Sequence, residues 1–393
     1  MGKFPLTTER HSYVQEWKKR TGRKVIGYFC TYVPEEFIYA AGVLPVRVLG
    51  SHEPQDLAEP YIFSMFCPFC RDCLAEGLRG KYDYLDGIAH AQSCLHIRQA
   101  FESWQMHIPS AYNHYLYMPS NLQSPSARIC LEEELQEFKS TLEKWTGKVI
   151  TEKALSEAVE TCNLNRRLLR KLYELRKSDP PAISGAETMR IVLASMFMDK
   201  KEHSKLLEQL LEELSNTPRK ITSGPRVMVL GSENDDTELV ELTESLGANV
   251  VIDDHCTGSR YFWNEVILPS PSRGEGQACP ERSEWGEGEP TDKLLQAIAS
   301  RYIDRPPCPQ KDLRERRRFA HILKLAEEYK VQAAVLIQQK FCDPHEFDIP
   351  PLQELFQQKG IPSIFLEVDL TTPVGQFRTR IEAFLETMQL ELA

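Results

Sequence analysis

"KVIGYFCTYVPEEFIYAAGVLPVRVL", residues 24–49, decides the fold class. Its first six residues are rich in the β-branched and aromatic side chains that strands favour. Pro34 then predicts a helix start, Glu35 and Glu36 fall in the electropositive first turn, and Gly42 predicts the helix end. The residues after Gly42 predict a second strand. A strand, a helix and a strand in this order predict a parallel α/β sheet.

The same alternation recurs on both sides of a long helical region. We predict an N-terminal α/β domain over residues 1–130, a helical subdomain over 131–220, and a C-terminal α/β domain over 221–393. The fold class is therefore α/β, with two Rossmann-like or flavodoxin-like parallel-sheet domains and helices between them. Residues 269–291 are rich in Gly, Pro, Ser and Glu, so we expect them to be an exposed insertion, and we assign Cys279 within it no function.

Composition excludes several classes of partner. The 393 residues carry a net charge of -10, which argues against nucleic acid. The basic stretch "KDLRERRRFAHILK", residues 311–324, has apolar residues at helical spacing, so we expect it to be the solvated face of a helix. No apolar run approaches the ~18 residues of a membrane span, and the first residues lack the apolar core of a signal peptide. We expect a cytoplasmic protein with no membrane partner.

Eleven cysteines are many for a reducing compartment, where clustered cysteine indicates metal or redox chemistry before disulfides. Several follow predicted strands, and the ends of parallel strands form the binding crevice of such sheets. Cys67 precedes Pro68 at a predicted helix start, Cys94 follows "GIAHAQS", and Cys342 follows "VLIQQKF". Cys30 and Cys256 also stand after strands. Two facing domains could bring Cys67 and Cys94 together with Cys342.

Three thiolates around one point suit an iron–sulfur cluster. Zinc is the main alternative, but a structural zinc site pairs one CxxC with a second cysteine or histidine pair, and this chain has only the single tight group Cys67, Cys70 and Cys73. A purely structural role for that group, with the thiols packed at a helix start, stays open from spacing alone.

Five stretches in order carry a family resemblance. They are "GYFCTYVPEEFIYAAGVLPVRVLG", "FCPFCRDCL", "YDYLDGIAHAQSCLHIRQAFE", "VVIDDHCTGSRYF" and "QQKFCDPHEFDIPPL". Together they resemble the 2-hydroxyacyl-CoA dehydratase D-component and benzoyl-CoA reductase family. Within it, the chain looks most like the smaller, C or N type, subunit of ATP-dependent benzoyl-CoA reductase.

The resemblance implies a [4Fe–4S] cluster bound by Cys67, Cys94 and Cys342, with Cys30 held in reserve beside the site. Cys70 and Cys73 would be accessory, because the family often lacks cysteine at those positions. We expect Cys130 and Cys162, in helical sequence, to be core residues. His96 and His345, close to proposed ligands, are weak candidates for proton donors. Arg98 and Arg260 could meet CoA phosphates or form surface ion pairs, and we expect Glu35 and Glu36 to be first-turn helix acids.

The resemblance also implies the partners. These are a larger homologous subunit with its own cluster, a separate ATP-hydrolysing iron–sulfur activator, and an aromatic acyl-CoA substrate. The chain has no GxxxxGK[ST] loop and no convincing GxGxxG after a strand, so we expect neither an ATP nor an NAD site in it. Three alternatives remain: a 2-hydroxyacyl-CoA dehydratase subunit, a related double-cubane electron-transfer protein, and a structural α/β protein without a cofactor.

Overall fold

The computed structural model describes residues 4–268, 290–312, 316–369 and 374–392. Within these ranges, eight strands form two four-stranded sheets that are parallel throughout. The two parallel sheets confirm the predicted α/β class. Most of the predicted insertion, together with Cys279, lies outside the described residues, whereas its last residues belong to a helix that begins at Pro290.

Both sheets have the same strand order. The first sheet runs β2-β1-β3-β4 and the second runs β6-β5-β7-β8. The strands are β1 (Val25–Tyr28), β2 (Leu44–Arg47), β3 (Gly87–Ala91), β4 (Asn113–Leu116), β5 (Arg226–Gly231), β6 (Asn249–Asp254), β7 (Ala333–Gln339) and β8 (Ser363–Val368). In each sheet the second strand in the chain pairs on one side of the first strand. The third strand then pairs on the other side of the first strand. The crevice of each sheet therefore opens beyond the carboxyl ends of β1 and β3, and of β5 and β7.

Helices flank the sheets and fill the region between them. Those of the first part are α1 (Arg10–Thr21), α2 (Glu35–Ala40), α3 (Pro68–Leu78) and α4 (Leu95–His107). The middle of the chain contains α5 (Ala127–Thr146), α6 (Glu152–Glu174), α7 (Gly185–Ser195) and α8 (Lys200–Asn216). The last part contains α9 (Glu238–Ser245), α10 (Ser259–Phe262), α11 (Pro290–Asp304), α12 (Arg317–Glu328), α13 (Asp343–Glu346), α14 (Ile349–Gln358) and α15 (Val374–Leu392). Nowhere in the described ranges is a helix both long and apolar enough to cross a membrane.

The two halves of the chain share buried surface. One apolar cluster includes Val46 of β2, Leu172 of α6 and Leu230 of β5, each fully buried. A second cluster joins the first sheet to α5 and to α11 of the C-terminal part. Burying each large apolar side chain stabilises the fold by about 1.5–3 kcal/mol, so these clusters hold the two sheets in a fixed relation.

Close packing sets α3 beside α4. A methyl group on Gly77 would lie 2.4 Å from the Trp104 ring, so only glycine allows this approach. Because Cys67 and Cys94 directly precede these two helices, the packing brings the two cysteines side by side. At the other sheet, Gly231 ends β5 with φ of 136°, and a side chain there would strike the backbone oxygen of Ile337. Glycine thus lets β5 end close against β7.

The basic stretch differs from expectation. Its helix forms as α12, but Arg318 is fully buried rather than solvated. Its guanidinium pairs with Asp254 at 2.7 Å and with Asp348 at 2.6 Å. Helical spacing alone could not show this, because both carboxylates lie far away in the sequence.

Candidate functional site

Each cysteine expected to bind a cluster directly precedes a helix. Cys67 is the N-cap of α3, Cys94 the N-cap of α4 and Cys342 the N-cap of α13. For the two longer helices, α3 and α4, the free backbone N–H groups of the first turn favour a thiolate over a thiol. Pro68 occupies the first position of α3, where the missing N–H costs nothing.

Cys70 lies between two of these thiols. Its Sγ is 3.3 Å from Sγ of Cys67, and it also hydrogen-bonds Cys94. The hydrogen bond between the Cys67 and Cys70 thiols lowers the pKa of Cys67 to about 5, against the opposing effect of burial. A hydrogen bond with Cys70 also lowers the pKa of Cys94. Burial, together with its hydrogen bonds to Cys67 and Cys94, raises the pKa of Cys70 itself well above the usual value. Cys70, expected to be accessory, therefore lies beside both of these thiols.

The third cysteine reaches this pair from the other sheet. Burial raises the pKa of Cys342, and the negative charges of Cys67 and Cys94 raise it further. The Cys342 thiol therefore lies within electrostatic range of both. Ser232, just after β5, stands beside it. The crevices of the two sheets thus face each other, with Cys94 after β3 and Cys342 after β7 at equivalent strand ends.

His96 connects the three cysteine loops. Its Nδ1 accepts a hydrogen bond from the backbone N–H of Cys67 at 3.1 Å, and its ring stacks on Phe66 with centroids 4.5 Å apart. Its Nε2 lies 3.8 Å from a carboxylate oxygen of Asp343, the residue after Cys342. His96 is thus placed to orient the loops.

The other candidate proton donor has a different setting. His345 is 6% exposed, and its backbone N–H donates to the Cys342 carbonyl at 3.1 Å. Burial, aided by the charges of Arg318 and Arg260, holds its pKa well below the usual value. The lowered pKa favours the neutral imidazole, which fits a structural role in the loop after Cys342.

Three further cysteines border the same cleft. Burial raises the pKa of Cys308, and the charges of Cys30 and Cys94 add to this effect. Cys256 donates a hydrogen bond from Sγ to Oε2 of Glu233. Burial lowers the pKa of Lys311 to about 8, although Cys30, Cys308 and Cys94 oppose the shift. Cys30, the reserve candidate, is thus near the site.

The charged residues singled out in the sequence, two arginines and two glutamates, differ in how exposed they are. Arg98 is exposed and pairs with Glu102 at 2.7 Å, as a surface ion pair should. Arg260 is 1% exposed and faces Asp254, so it neither forms a surface pair nor offers a charge to a CoA phosphate in solvent. Glu35 and Glu36 do occupy the first turn of α2, but both are buried.

The two helix cysteines differ from each other. Cys162 is 1% exposed and belongs to the core, which confirms the prediction. Cys130 is exposed, so the prediction for it was wrong. It lies near the start of α5, between the buried residues Ala127 and Leu131, but its own side chain is exposed.

Two kinds of metal group place different demands on the donors. Within the described ranges, no three His, Cys, Asp or Glu side chains are close enough to hold a single ion. A zinc site needs all its donors at about 2.0–2.3 Å from one point. A four-iron cube instead takes each thiolate at a different corner, so its ligands stand further apart. Cys67, Cys94 and Cys342 come from three separate loops, as the ligands of such a cube would.

Comparison with known proteins adds a family match. Residues 30–388 match the family model described as 2-hydroxyglutaryl-CoA dehydratase, D-component. The (R)-phenyllactyl-CoA dehydratase beta subunit of Clostridium sporogenes is 27% identical over 96% of this chain and 95% of its own length. The C-type subunit of benzoyl-CoA reductase from Thauera aromatica is 25% identical over 96% and 94%. The beta subunit of lactoyl-CoA dehydratase from Anaerotignum propionicum is 25% identical over 95% and 94%.

Proposed function

The chain belongs to the 2-hydroxyglutaryl-CoA dehydratase D-component family, and from this we propose that it is the iron–sulfur subunit of an enzyme acting on an acyl-CoA thioester. The proposed cofactor is a [4Fe–4S] cluster held by Cys67, Cys94 and Cys342. The observation that supports this proposal is that three N-cap cysteines, from loops of two sheets, lie within electrostatic range of one another. Bound there, such a cluster would supply single electrons at low potential, which no side chain can do.

The residues of the chain would hold and shield the cofactor. The contacts with Cys70 lower the pKa of Cys67 and of Cys94, and the first turns of their helices also favour the thiolate form that a cluster takes. Cys67 is 5% exposed and Cys70 is 1% exposed, so water is largely excluded from this side of the cleft. His96 would keep the loops in register through its contacts with Cys67 and Asp343.

For the reaction, we propose reduction of the ring of an aromatic acyl-CoA, with benzoyl-CoA as the first substrate to test. The motifs in order and the match to one subunit of a benzoyl-CoA reductase support this branch. The low-potential electron would come from an ATP-hydrolysing iron–sulfur activator, because the chain carries no ATP-binding loop of its own.

Dehydration of a 2-hydroxyacyl-CoA is the second candidate. It is favoured by the alignment with (R)-phenyllactyl-CoA dehydratase beta subunit, which is at least as similar as the reductase subunit. The same cleft and the same cluster would serve, and the difference would lie in the substrate presented to the assembled enzyme.

Double-cubane electron transfer is a third candidate, favoured by the additional thiols. Cys30, Cys256 and Cys308 border the cleft beside the three proposed ligands. A second cluster there would roughly double the iron and sulfide content. Iron quantification therefore separates this candidate from the first two.

The partner is proposed to be a larger homologous subunit that covers the cleft. The relatives are named as single subunits of dehydratases and of a reductase, so assembly with another chain is expected. Large apolar side chains are exposed around the three loops: Phe63, Met65, Leu95 and Phe347, which we call the apolar rim. Phe63 packs against Phe66 with ring centroids 6.0 Å apart, and Phe66 stacks on His96, so the rim borders the site. Such a patch indicates a protein interface.

The experiment is anaerobic reconstitution with the partner subunit and the activator. The purified chain should contain about four iron and four sulfide per molecule if it holds one cube. With ATP, the assembly should then consume benzoyl-CoA or a 2-hydroxyacyl-CoA, and the substrate consumed decides the branch. A colourless chain without iron after reconstitution would refute the proposal.

A further inference from the structure

Arg47 is a buried cation close to the cysteine cleft. It ends β2 beside Tyr28 of β1 and is 3% exposed. Its guanidinium lies 5.8 Å from the ring centroid of Tyr28 and 5.7 Å from that of Phe69. Phe69 follows Cys67 by two residues. The two rings fix the guanidinium at the base of the cleft, near the loop of a proposed cluster ligand.

The charge of Arg47 is only partly compensated. Nη2 lies 3.4 Å from Oε1 of Glu233, a long contact, while the other oxygen of that carboxylate accepts from Cys256. Nε and Nη1 are buried and have no hydrogen-bond partner among the described residues. A buried guanidinium with two unused donors is unfavourable unless an anion completes it. This is an observation independent of the cysteines, and it points to an anionic ligand.

Two other arginines near the cleft have different surroundings. Arg260 also leaves Nε and Nη1 without a hydrogen-bond partner among the described residues, but its Nε lies 3.3 Å from the Asp254 carboxylate and its Nη2 donates to the carbonyl oxygens of Gly231 and Asp254. Arg98 is exposed and paired with Glu102. Arg47 shares burial and two unused donors with Arg260, and it also lies close to Cys30, to Cys256 and to the Phe69 ring.

We propose that Arg47 is the counter-cation of the cofactor in this cleft, with Nε and Nη1 as donors to its anionic sulfur atoms, and that it raises the reduction potential of the cofactor. The inference rests on the proposed [4Fe–4S] cluster. Reduction adds one negative charge to the cluster, and a cation in a low-dielectric interior stabilises that charge strongly. Glu233, as the partner of Arg47, acts in the opposite sense.

The test is the direction in which loss of the Arg47 charge and loss of the Glu233 charge each shift the reduction potential. The cluster potential is measured without substrate by an anaerobic redox titration at pH 8, followed by electron paramagnetic resonance. Arg47→Gln should lower the potential, so that the ratio of reduced to oxidised cluster at the wild-type midpoint falls at least tenfold, a shift of about 59 mV for one electron. Glu233→Gln should move the potential upward. The matched control Arg98→Gln, which removes a solvated charge, should change the ratio less than twofold.

Each result decides the inference. Equal potentials in the wild type and Arg47→Gln, at equal iron content, would overturn it. A downward shift in Glu233→Gln would also overturn it, because loss of a negative charge cannot lower the potential by the proposed route. If Arg47→Gln fails to fold, Arg47→Lys should keep the potential near that of the wild type, and Glu233→Gln still gives the sign. A wild-type chain without iron refutes the proposed function, whereas iron with an unmoved potential refutes only the role of Arg47.

Discussion

The backbone N–H of Cys67 donates a hydrogen bond to Nδ1 of His96, over a distance of 3.1 Å. His96 follows Cys94 by two residues, and its other ring nitrogen faces Asp343, directly after Cys342. One imidazole therefore contacts the loops of all three proposed cluster ligands. A residue in this position controls how well the three thiols keep their geometry, whichever reaction the enzyme performs.

We expect His96→Ala to weaken cluster retention. Loss of a residue that orients metal ligands typically costs 10–100-fold in metal affinity, so iron release to a chelator should accelerate at least about tenfold. His107→Ala, at the exposed end of the same helix, is the control and should release iron at the wild-type rate. Equal release rates for His96→Ala and the wild type would show that the imidazole does not support the site.

The apolar rim should be needed for assembly. Phe347 is 74% exposed beside the cleft, and replacing it with aspartate places a charge in the proposed interface. A central aromatic contact contributes 2 kcal/mol or more at many interfaces, so Phe347→Asp should weaken binding of the larger subunit at least about tenfold. Analytical ultracentrifugation of the co-expressed chains measures this.

Val149→Asp provides the matched control for the rim. Val149 is 75% exposed between α5 and α6, far from the cysteine loops in the sequence. Val149→Asp should leave assembly with the larger subunit intact, although it introduces the same charge as Phe347→Asp. If both variants assemble like the wild type, the rim is not the interface. If Phe347→Asp changes only self-association, the occupant is a second copy of this chain.

Stability at low pH should depend on Glu36. This carboxylate is fully buried; burial alone would raise its pKa, but Arg166 and Arg301 outweigh that effect and lower the pKa to about 2. A carboxyl with a depressed pKa stabilises the fold above its unfolded pKa near 4.5, and the contribution disappears as the pH falls towards 2.

Glu36→Gln should therefore lower the free energy of unfolding by about 3 kcal/mol at pH 7, because Arg166 then stays buried without its partner. The difference between variant and wild type should shrink between pH 4.5 and pH 2. Urea unfolding at several pH values measures it, with the exposed first-turn acid Glu152→Gln as control. A difference that does not change with pH would contradict the ion pair as its source.

Local sequence patterns predicted much of the fold. The apolar runs gave the strands, and the residues around Pro68 and Cys94 correctly indicated helix starts. Patterns of this kind act over a few residues, so one sequence is enough to recognise them. The prediction that strand-end cysteines share one cleft rests on the general rule that parallel strands end at a common edge.

Features that depend on contacts between residues far apart in the chain could not be predicted from the sequence. Spacing placed Cys70 one helical turn from Cys67 but did not show that it also faces Cys94. Cys130 has an apolar helical context, yet its side of α5 is exposed. Arg47 and Arg318 sit in sequence typical of a strand and of a solvated helix, and only the packing of other elements buries them. An arginine inside the apolar run "LPVRVL" was the one available signal for Arg47.

The central claim is that Cys67, Cys94 and Cys342 jointly hold one cluster. The most direct measurement is the iron and sulfide content of anaerobically purified Cys67→Ala, Cys94→Ala and Cys342→Ala, beside the control Cys130→Ala at an exposed position. The account predicts that each of the three variants loses at least about half of the roughly four iron atoms of the wild type, while the control keeps them. Wild-type iron content in all three variants would contradict it.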